Sequence, residues 1–258
     1  MDKVTSKDGT PIAFDKLGKG PAVVIVGGVV GDHWQQAPLA DILAQDFTVF
    51  NYDRRSRGES GDTAPYAVDR EIDDLEAIIK EAGGSAYVYG TSGCAILALW
   101  AAARGVPMRK LALWEPPFII PGSRPPVPAD YKAQQMELLA SGRRGDMVEL
   151  FMTQAVGMPV EIVSQMRNAP WWSGQEAVAH TLVYDANIVG DYSLPTQRIA
   201  SVQVPTLVMD GGESPWLSAG AQAVADALPN AQRRTLKGQP HNVDAAAIAP
   251  TLAEFFKA

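Results

Sequence analysis

Short, almost wholly apolar runs alternate with amphipathic stretches along most of the chain. Ala22–Val26, Phe47–Tyr52, Ala86–Tyr89, Leu111–Trp114 and Thr206–Met209 are runs of this kind. Their brevity and their β-branched and aromatic content predict strands buried on both faces. Lys3–Ser6 and Ile12–Lys16 flank the turn sequence Lys7-Asp8-Gly9-Thr10-Pro11 and predict a pair of strands, and Arg233–Leu236 predicts a last one. Between the strands the period changes. Val68, Ile72, Leu75, Ile79 and Ala82 recur at helical spacing, with Asp69, Arg70, Glu71 and Asp73 on the other face, and Gly83-Gly84 ends the pattern. Trp34–Ala44, Ala95–Arg104, Leu217–Leu228 and Asp244–Phe256 also predict helices.

From Pro121 to Ser193 the alternation stops. No buried strand pattern occurs there, and four helical stretches are predicted at Asp130–Ala140, Arg144–Ala155, Glu161–Arg167 and Gln175–Asn187. The expected organisation is a core formed by residues 1–120 and 194–258, with a helical cap at 121–193. Strands alternating with helices give an α/β fold class, a mostly parallel sheet covered on both faces. Ligands of such sheets bind beyond the carboxyl ends of the strands. The loops that follow strands are therefore where chemistry is expected: Gly27–Gly31, Gly90–Cys94, Glu115–Pro117, Asp210–Pro215 and Gly238–His241.

Composition narrows the partners. Lys and Arg total 22 against 29 Asp and Glu, a net charge of −7, which disfavours nucleic acid and anionic membrane surfaces. The single cysteine leaves no internal disulfide and no Cys-rich metal site. Met1–Asp8 has no apolar signal core, and no apolar run approaches the roughly 20 residues of a membrane helix. These features lead to the expectation of a soluble, cytoplasmic protein. No metal or cofactor motif is present.

One stretch combines a strand, a one-serine turn and a helix: Tyr89-Gly90-Thr91-Ser92-Gly93-Cys94, between Ala86–Tyr89 and Ala95–Arg104. Such a turn strains the serine backbone and lifts its hydroxyl above the sheet edge. Small residues two before and two after it let strand and helix approach, which Gly90 and the small Cys94 both satisfy. A serine hydroxyl needs a base to take its proton. Of the three histidines, His241 lies in the loop between the last strand and the last helix, downstream of the serine at the same sheet edge. His33 sits beside the glycine-rich loop, as pocket lining or helix cap. His180 lies on a helix of the cap, as substrate contact or as packing. Three carboxylates follow strands and can orient the histidine: Glu115, whose exit path Pro116-Pro117 restricts, Asp210 and Glu213. Glu115 is the preferred choice. Cys94 reads as buried packing. Arg54-Arg55-Ser56-Arg57 reads as a solvated turn after a strand, with Arg55 holding a neighbouring loop. Trp171, Trp172 and Trp216 are either pocket walls or cap packing.

Together these residues resemble the α/β-hydrolase fold superfamily. The resemblance rests on Gly27-Gly28-Val29, Tyr52–Ser60, Gly90-Thr91-Ser92-Gly93-Cys94, Gly211-Gly212-Glu213-Ser214-Pro215 and Gly238-Gln239-Pro240-His241, and it covers essentially the whole chain. It implies an eight-stranded sheet with a helical cap inserted after the sixth strand. It also implies that the Val29 and Gly93 N–H groups form an oxyanion hole. Two departures stand out. Gly27-Gly28 replaces the His-Gly pair common in relatives, a change tolerable where backbone does the work. Ser214 occupies the position at which relatives usually carry the acid. Haloalkane dehalogenases and the fungal zearalenone lactonase, which Leu113-Trp114-Glu115 resembles, use an acid at the Glu115 position.

The expected function is a cofactor-free serine hydrolase acting on an ester or lactone of a small or medium apolar molecule. Ser92, His241 and Glu115 form its triad, and His180, Trp172 and Trp216 contact the substrate. Relatives use the same triad for C–C bond hydrolysis, peracid formation or lyase and cyclase steps, and some receptors of this fold only bind ligand.

Overall fold

The computed structural model describes residues 1–258. Eight strands form one sheet in the order β1-β2-β4-β3-β5-β6-β7-β8. They are β1 (Asp2–Thr5), β2 (Pro11–Leu17), β3 (Ala22–Val26), β4 (Thr48–Tyr52), β5 (Ala86–Thr91), β6 (Met108–Trp114), β7 (Thr206–Gly212) and β8 (Ala231–Gln239). β1 and β2 pair antiparallel with each other, as do β2 and β4, and the other pairings are parallel. Eleven α-helices accompany the sheet. Three precede the sixth strand: α1 (Ala37–Leu43), α2 (Val68–Glu81) and α3 (Gly93–Ala103). Six lie between β6 and β7: α4 (Tyr131–Ala140), α5 (Arg144–Leu150), α6 (Val160–Met166), α7 (Trp172–Val178), α8 (Leu182–Val189) and α9 (Thr196–Ala200). The last two are α10 (Pro215–Ala227) and α11 (Ala245–Lys257). No helix is long and apolar enough to cross a membrane.

The strands are apolar throughout because both faces are covered. Alternate side chains point to opposite faces, and they divide between two cores. Val24, Val26, Val88, Leu111 and Leu113 pack with α2 and α3. Val23, Ile25, Tyr89, Ala112 and Trp114 pack with α1 and α11 through Leu39, Leu43, Leu252 and Phe256. Each fully buried aliphatic side chain stabilises by about 1.5–3 kcal/mol, so the central strands anchor the loops at their ends. The apolar helix α3 is buried on nearly all sides, as expected of a helix packed between sheet and further helices.

The expected elements are present with local differences. The segment expected at Trp34–Ala44 begins with a 3₁₀ turn, His33–Gln36, because Pro38 favours a fresh helix start. The helix expected at Arg144–Ala155 ends at Leu150 and continues as a π-turn, Phe151–Val156. Arg124 satisfies carbonyls of this turn, donating to Gln154, Ala155 and Val156. The stretch expected at Gln175–Asn187 starts earlier, at Trp172, and breaks into two helices at the 3₁₀ turn Ala179–Thr181. The short helix α9 carries too little periodic pattern to be read from sequence.

Candidate active site

β5 runs to Thr91 and α3 begins at Gly93, so Ser92 alone makes the turn. Its φ of 55° and ψ of −132° are rare for a residue with a side chain. The conformation is held from both sides. The Ser92 N–H donates to the Trp114 carbonyl on β6 (2.8 Å), and the Ala95 N–H donates to the Ser92 carbonyl (2.9 Å). Gly90 permits the turn sterically: a Cβ there would lie 2.8 Å from the Cys94 carbonyl oxygen and 2.9 Å from the Ala95 Cα. Positive φ also occurs at Val30, Ser56 and Glu115. Strained residues thus follow four strands, β3 to β6, along one edge, the clustering expected where geometry serves a site.

His241 follows β8 and brings its Nε2 to 3.0 Å from Ser92 Oγ. Its Nδ1 lies 2.6 Å from Glu115 Oε2. Glu115 is 1% exposed, and its other oxygen accepts the Gly211 N–H at 2.9 Å. Both carboxylate oxygens are therefore engaged and the side chain has one orientation. The Trp114 indole N–H donates to the His241 carbonyl at 2.8 Å and holds the histidine loop against the end of β6. Sequence reasoning gave Trp114 no such role. Its place next to Glu115 was the available signal.

The other two carboxylates are turned elsewhere. Asp210 is buried, and its oxygens accept from Gly212 N–H, Ser218 Oγ, Arg233 Nη2 and Thr235 Oγ1. Glu213 is exposed. Of the three carboxylates, Glu115 is the one bonded to His241.

Several expectations about neighbouring residues are corrected. Arg54, Arg55 and Arg57 are not a solvated turn: all three are at most 2% exposed. Arg54 pairs with Glu71 and Asp185, Arg55 with Asp74 and Asp8, and Arg57 with Asp185. Buried guanidinium groups persist when such partners satisfy their charge and donors. His180 lines neither cavity beside Ser92. Its Nε2 lies 2.8 Å from Ser56 Oγ, and burial, with Arg144 and Arg57 nearby, holds its pKa below the usual value. Trp172 is also turned away. It packs with Met147, Val148 and Leu182, and its indole donates to Glu176 Oε1. His33 is tied to Asp53, with Nδ1 at 2.8 Å from Oδ1. Cys94, by contrast, is fully buried as read from the sequence, near Arg54, and burial pushes its thiol up to about 11. It is protonated at neutral pH and poorly nucleophilic.

Ser92 and His241 stand where two cavities meet. The larger, about 540 Å³, is walled by Gln35, Leu39, Tyr89, Met152, Met158 and Val243. The smaller, about 220 Å³, includes Pro117, Tyr131, Asp185, Val189, Tyr192 and Trp216. Trp216 thus lines the cavity that Ser92 and His241 border. Val29, Phe151 and Val156 border both cavities. The two π-turn residues were missed, because nothing in a local apolar pattern says which face will meet Ser92. Gly93 borders the smaller cavity, facing Val29: a Cβ on Gly93 would lie 3.0 Å from Val29 Cγ2. As the first residue of α3, Gly93 has an N–H without an intrahelical acceptor. No group of three or more His, Cys, Asp or Glu side chains is arranged to hold a metal ion.

The model of the alpha/beta hydrolase family matches residues 23–250. The chain belongs to this family. An alpha/beta hydrolase from Sphaerobacter thermophilus superposes with a TM-score of 0.94 at 57% identity, covering 99% of this chain and 100% of that one. A thermophilic esterase from Thermogutta terrifontis superposes at 0.75 with 20% identity, covering 99% and 97%, a likeness of fold. Among curated relatives, an N-formylmaleamate deformylase of Pseudomonas putida is 30% identical over 139 residues, 52% of each protein. An uncharacterized hydrolase of Bacillus subtilis is 33% identical over 95 residues, 35% of each. The matched stretch spans about half or less of these two curated relatives. Other alpha/beta hydrolases are therefore this chain's homologues, and the eight-stranded sheet is that of the family.

Proposed function

We propose that this alpha/beta hydrolase cleaves an ester or lactone of a small or medium apolar molecule through a serine-bound acyl intermediate. The supporting observation is the unbroken series Ser92 Oγ, His241 Nε2, His241 Nδ1 and Glu115 Oε2, with contacts of 3.0 and 2.6 Å. In this reading Ser92 Oγ attacks the carbonyl carbon while His241 Nε2 takes its proton. Glu115 holds the ring orientation and stabilises the imidazolium. The Val29 and Gly93 N–H groups receive the oxyanion, assisted by the N-terminal dipole of α3. The imidazolium then protonates the leaving oxygen. Water, deprotonated by His241, attacks the acyl carbon, and Ser92 leaves with the proton. The chemistry needs no cofactor. The helical segment between β6 and β7 acts as the cap, since its Phe151, Val156 and Asp185 wall the cavities that Ser92 borders.

The test is an intact-mass measurement after treatment with a fluorophosphonate, on the wild type and on Ser92→Ala. One adduct on the wild type and none on the variant is expected. An unlabelled wild type would remove the reading.

The partial likeness to a deformylase brings a second reading, in which the same residues cleave an N-formyl amide. Comparing formyl amides with aryl esters at equal concentration separates the two, because amide cleavage depends on His241 protonating a nitrogen leaving group.

A further inference from the structure

The smaller cavity is apolar along most of its wall, through Pro117, Ala186, Val189 and Leu217, yet one carboxylate, that of Asp185, lines it. Asp185, on α8, is 5% exposed. Its Oδ1 accepts from Arg54 Nη1 at 2.8 Å and from Arg57 Nη2 at 2.9 Å, and its Oδ2 accepts from the same Arg57 nitrogen at 2.9 Å. Arg54 also holds Glu71. Two guanidinium groups thus meet two carboxylates, and the cluster balances without a counter-ion from a ligand. A carboxylate offers about four lone-pair sites. The arginines occupy three, which leaves acceptor capacity on Oδ2. Tyr131 stands nearby in the same wall, and its hydroxyl oxygen already accepts from Gln135 Nε2 at 3.1 Å.

This inference rests on the serine-hydrolase reading and deepens it. We propose that the smaller cavity is a substrate subsite for an apolar arm ending in a neutral hydrogen-bond donor, a hydroxyl or an amide N–H, which Asp185 accepts. An arm ending in a carboxylate is rejected, because it would press a second carboxylate against one that is buried and already paired with Arg54 and Arg57. A cavity of about 220 Å³ holds roughly seven waters' volume, or a chain of about five carbons with its end group. The substrates favoured are hydroxy-terminated esters or lactones, in preference to simple alkyl or dicarboxylate ones.

The experiment measures labelling rates of Ser92 with three fluorophosphonates. They share an alkyl tail of about five carbons and end in a methyl, a hydroxyl or a carboxylate. The hydroxyl tail should label about tenfold faster than the methyl tail, and the carboxylate tail about tenfold slower, the size expected for a hydrogen bond to a charged group made or refused. Asp185→Asn risks misfolding by unpairing Arg54 and Arg57, so the variant used is Ala186→Leu, which fills the cavity and leaves the ion pairs intact. It should slow all three tails and remove the ranking. Equal rates for the methyl and hydroxyl tails, a carboxylate tail as fast as methyl, or a ranking retained in Ala186→Leu would each overturn the subsite. Absence of labelling by any tail on the wild type would instead overturn the serine reading, and the subsite with it.

Discussion

Glu115 Oε2 lies 2.6 Å from His241 Nδ1, across 126 positions of sequence. The neighbouring strand end carries Asp210, whose oxygens hold Arg233, Thr235, Ser218 and the Gly212 amide. The two acids thus divide between orienting a histidine and closing the end of β7 onto β8 and α10. On the proposed mechanism, Glu115→Gln lowers kcat by about 10³- to 10⁴-fold, the scale of losing the correct imidazole tautomer, with little change in melting temperature. Asp210→Asn costs stability and spares most of kcat. Steady-state kinetics and thermal unfolding of both variants check this, and the reverse ranking would move the acid to Asp210.

Ser92 and His241 act as one unit if the relay transfers a proton. Ser92→Ala, His241→Ala and the double variant should then all lose about the same activity, roughly 10⁴- to 10⁶-fold. Rates for the three variants on one activated ester decide it. Additive losses would mean that the two residues act independently.

Arg54 is 2% exposed and pairs with both Glu71 and Asp185. Arg54→Met leaves two buried carboxylates short of a partner and should destabilise by about 3–5 kcal/mol. Urea unfolding of the two proteins measures it. A loss below about 1 kcal/mol, the range of exposed pairs, would show that water reaches the cluster.

Asp8 supplies a pH dependence. Burial raises its pKa, but hydrogen bonds from Thr10 and Arg55 outweigh that and hold it at about 2, below the ordinary 3.8. A depressed folded value means that the unfolded chain takes up this proton first. The contribution is therefore complete above about pH 4 and lost as pH falls through about 2. Asp8→Asn should flatten the stability profile between those values and leave its shape above them unchanged. An unaltered acid slope in chemical denaturation would refute the assignment.

The serine turn was legible from sequence because its determinants are local. An apolar strand, Gly90 and a helix-forming run act within a few residues of Ser92, and the close contacts avoided at Gly90 involve Cys94 and Ala95. The alternation of short apolar runs with amphipathic ones similarly predicted a parallel sheet covered on both faces, since burial of both faces demands that pattern. Glu115 and His241 were legible as candidates, because both follow strands at the same edge of such a sheet.

Other features depended on residues far apart in the chain. Arg54, Arg55 and Arg57 looked solvated until Glu71, Asp74 and Asp185 were brought beside them. His180 and Trp172 looked like substrate contacts until folding set Ser56 beside the His180 Nε2 and Glu176 beside the Trp172 indole N–H. The walls contributed by Phe151, Val156 and Asp185 likewise come from packing between remote segments. Local sequence patterns by themselves determined which residues are buried in strands and helices and where the serine turn lies, because steric and hydrophobic preferences act between near neighbours. Only the tertiary structure decided which acid meets His241, which charges pair and what shape the cavities take. A hydrogen bond or a buried ion pair forms only when distant backbone segments bring donor and acceptor within about 3 Å.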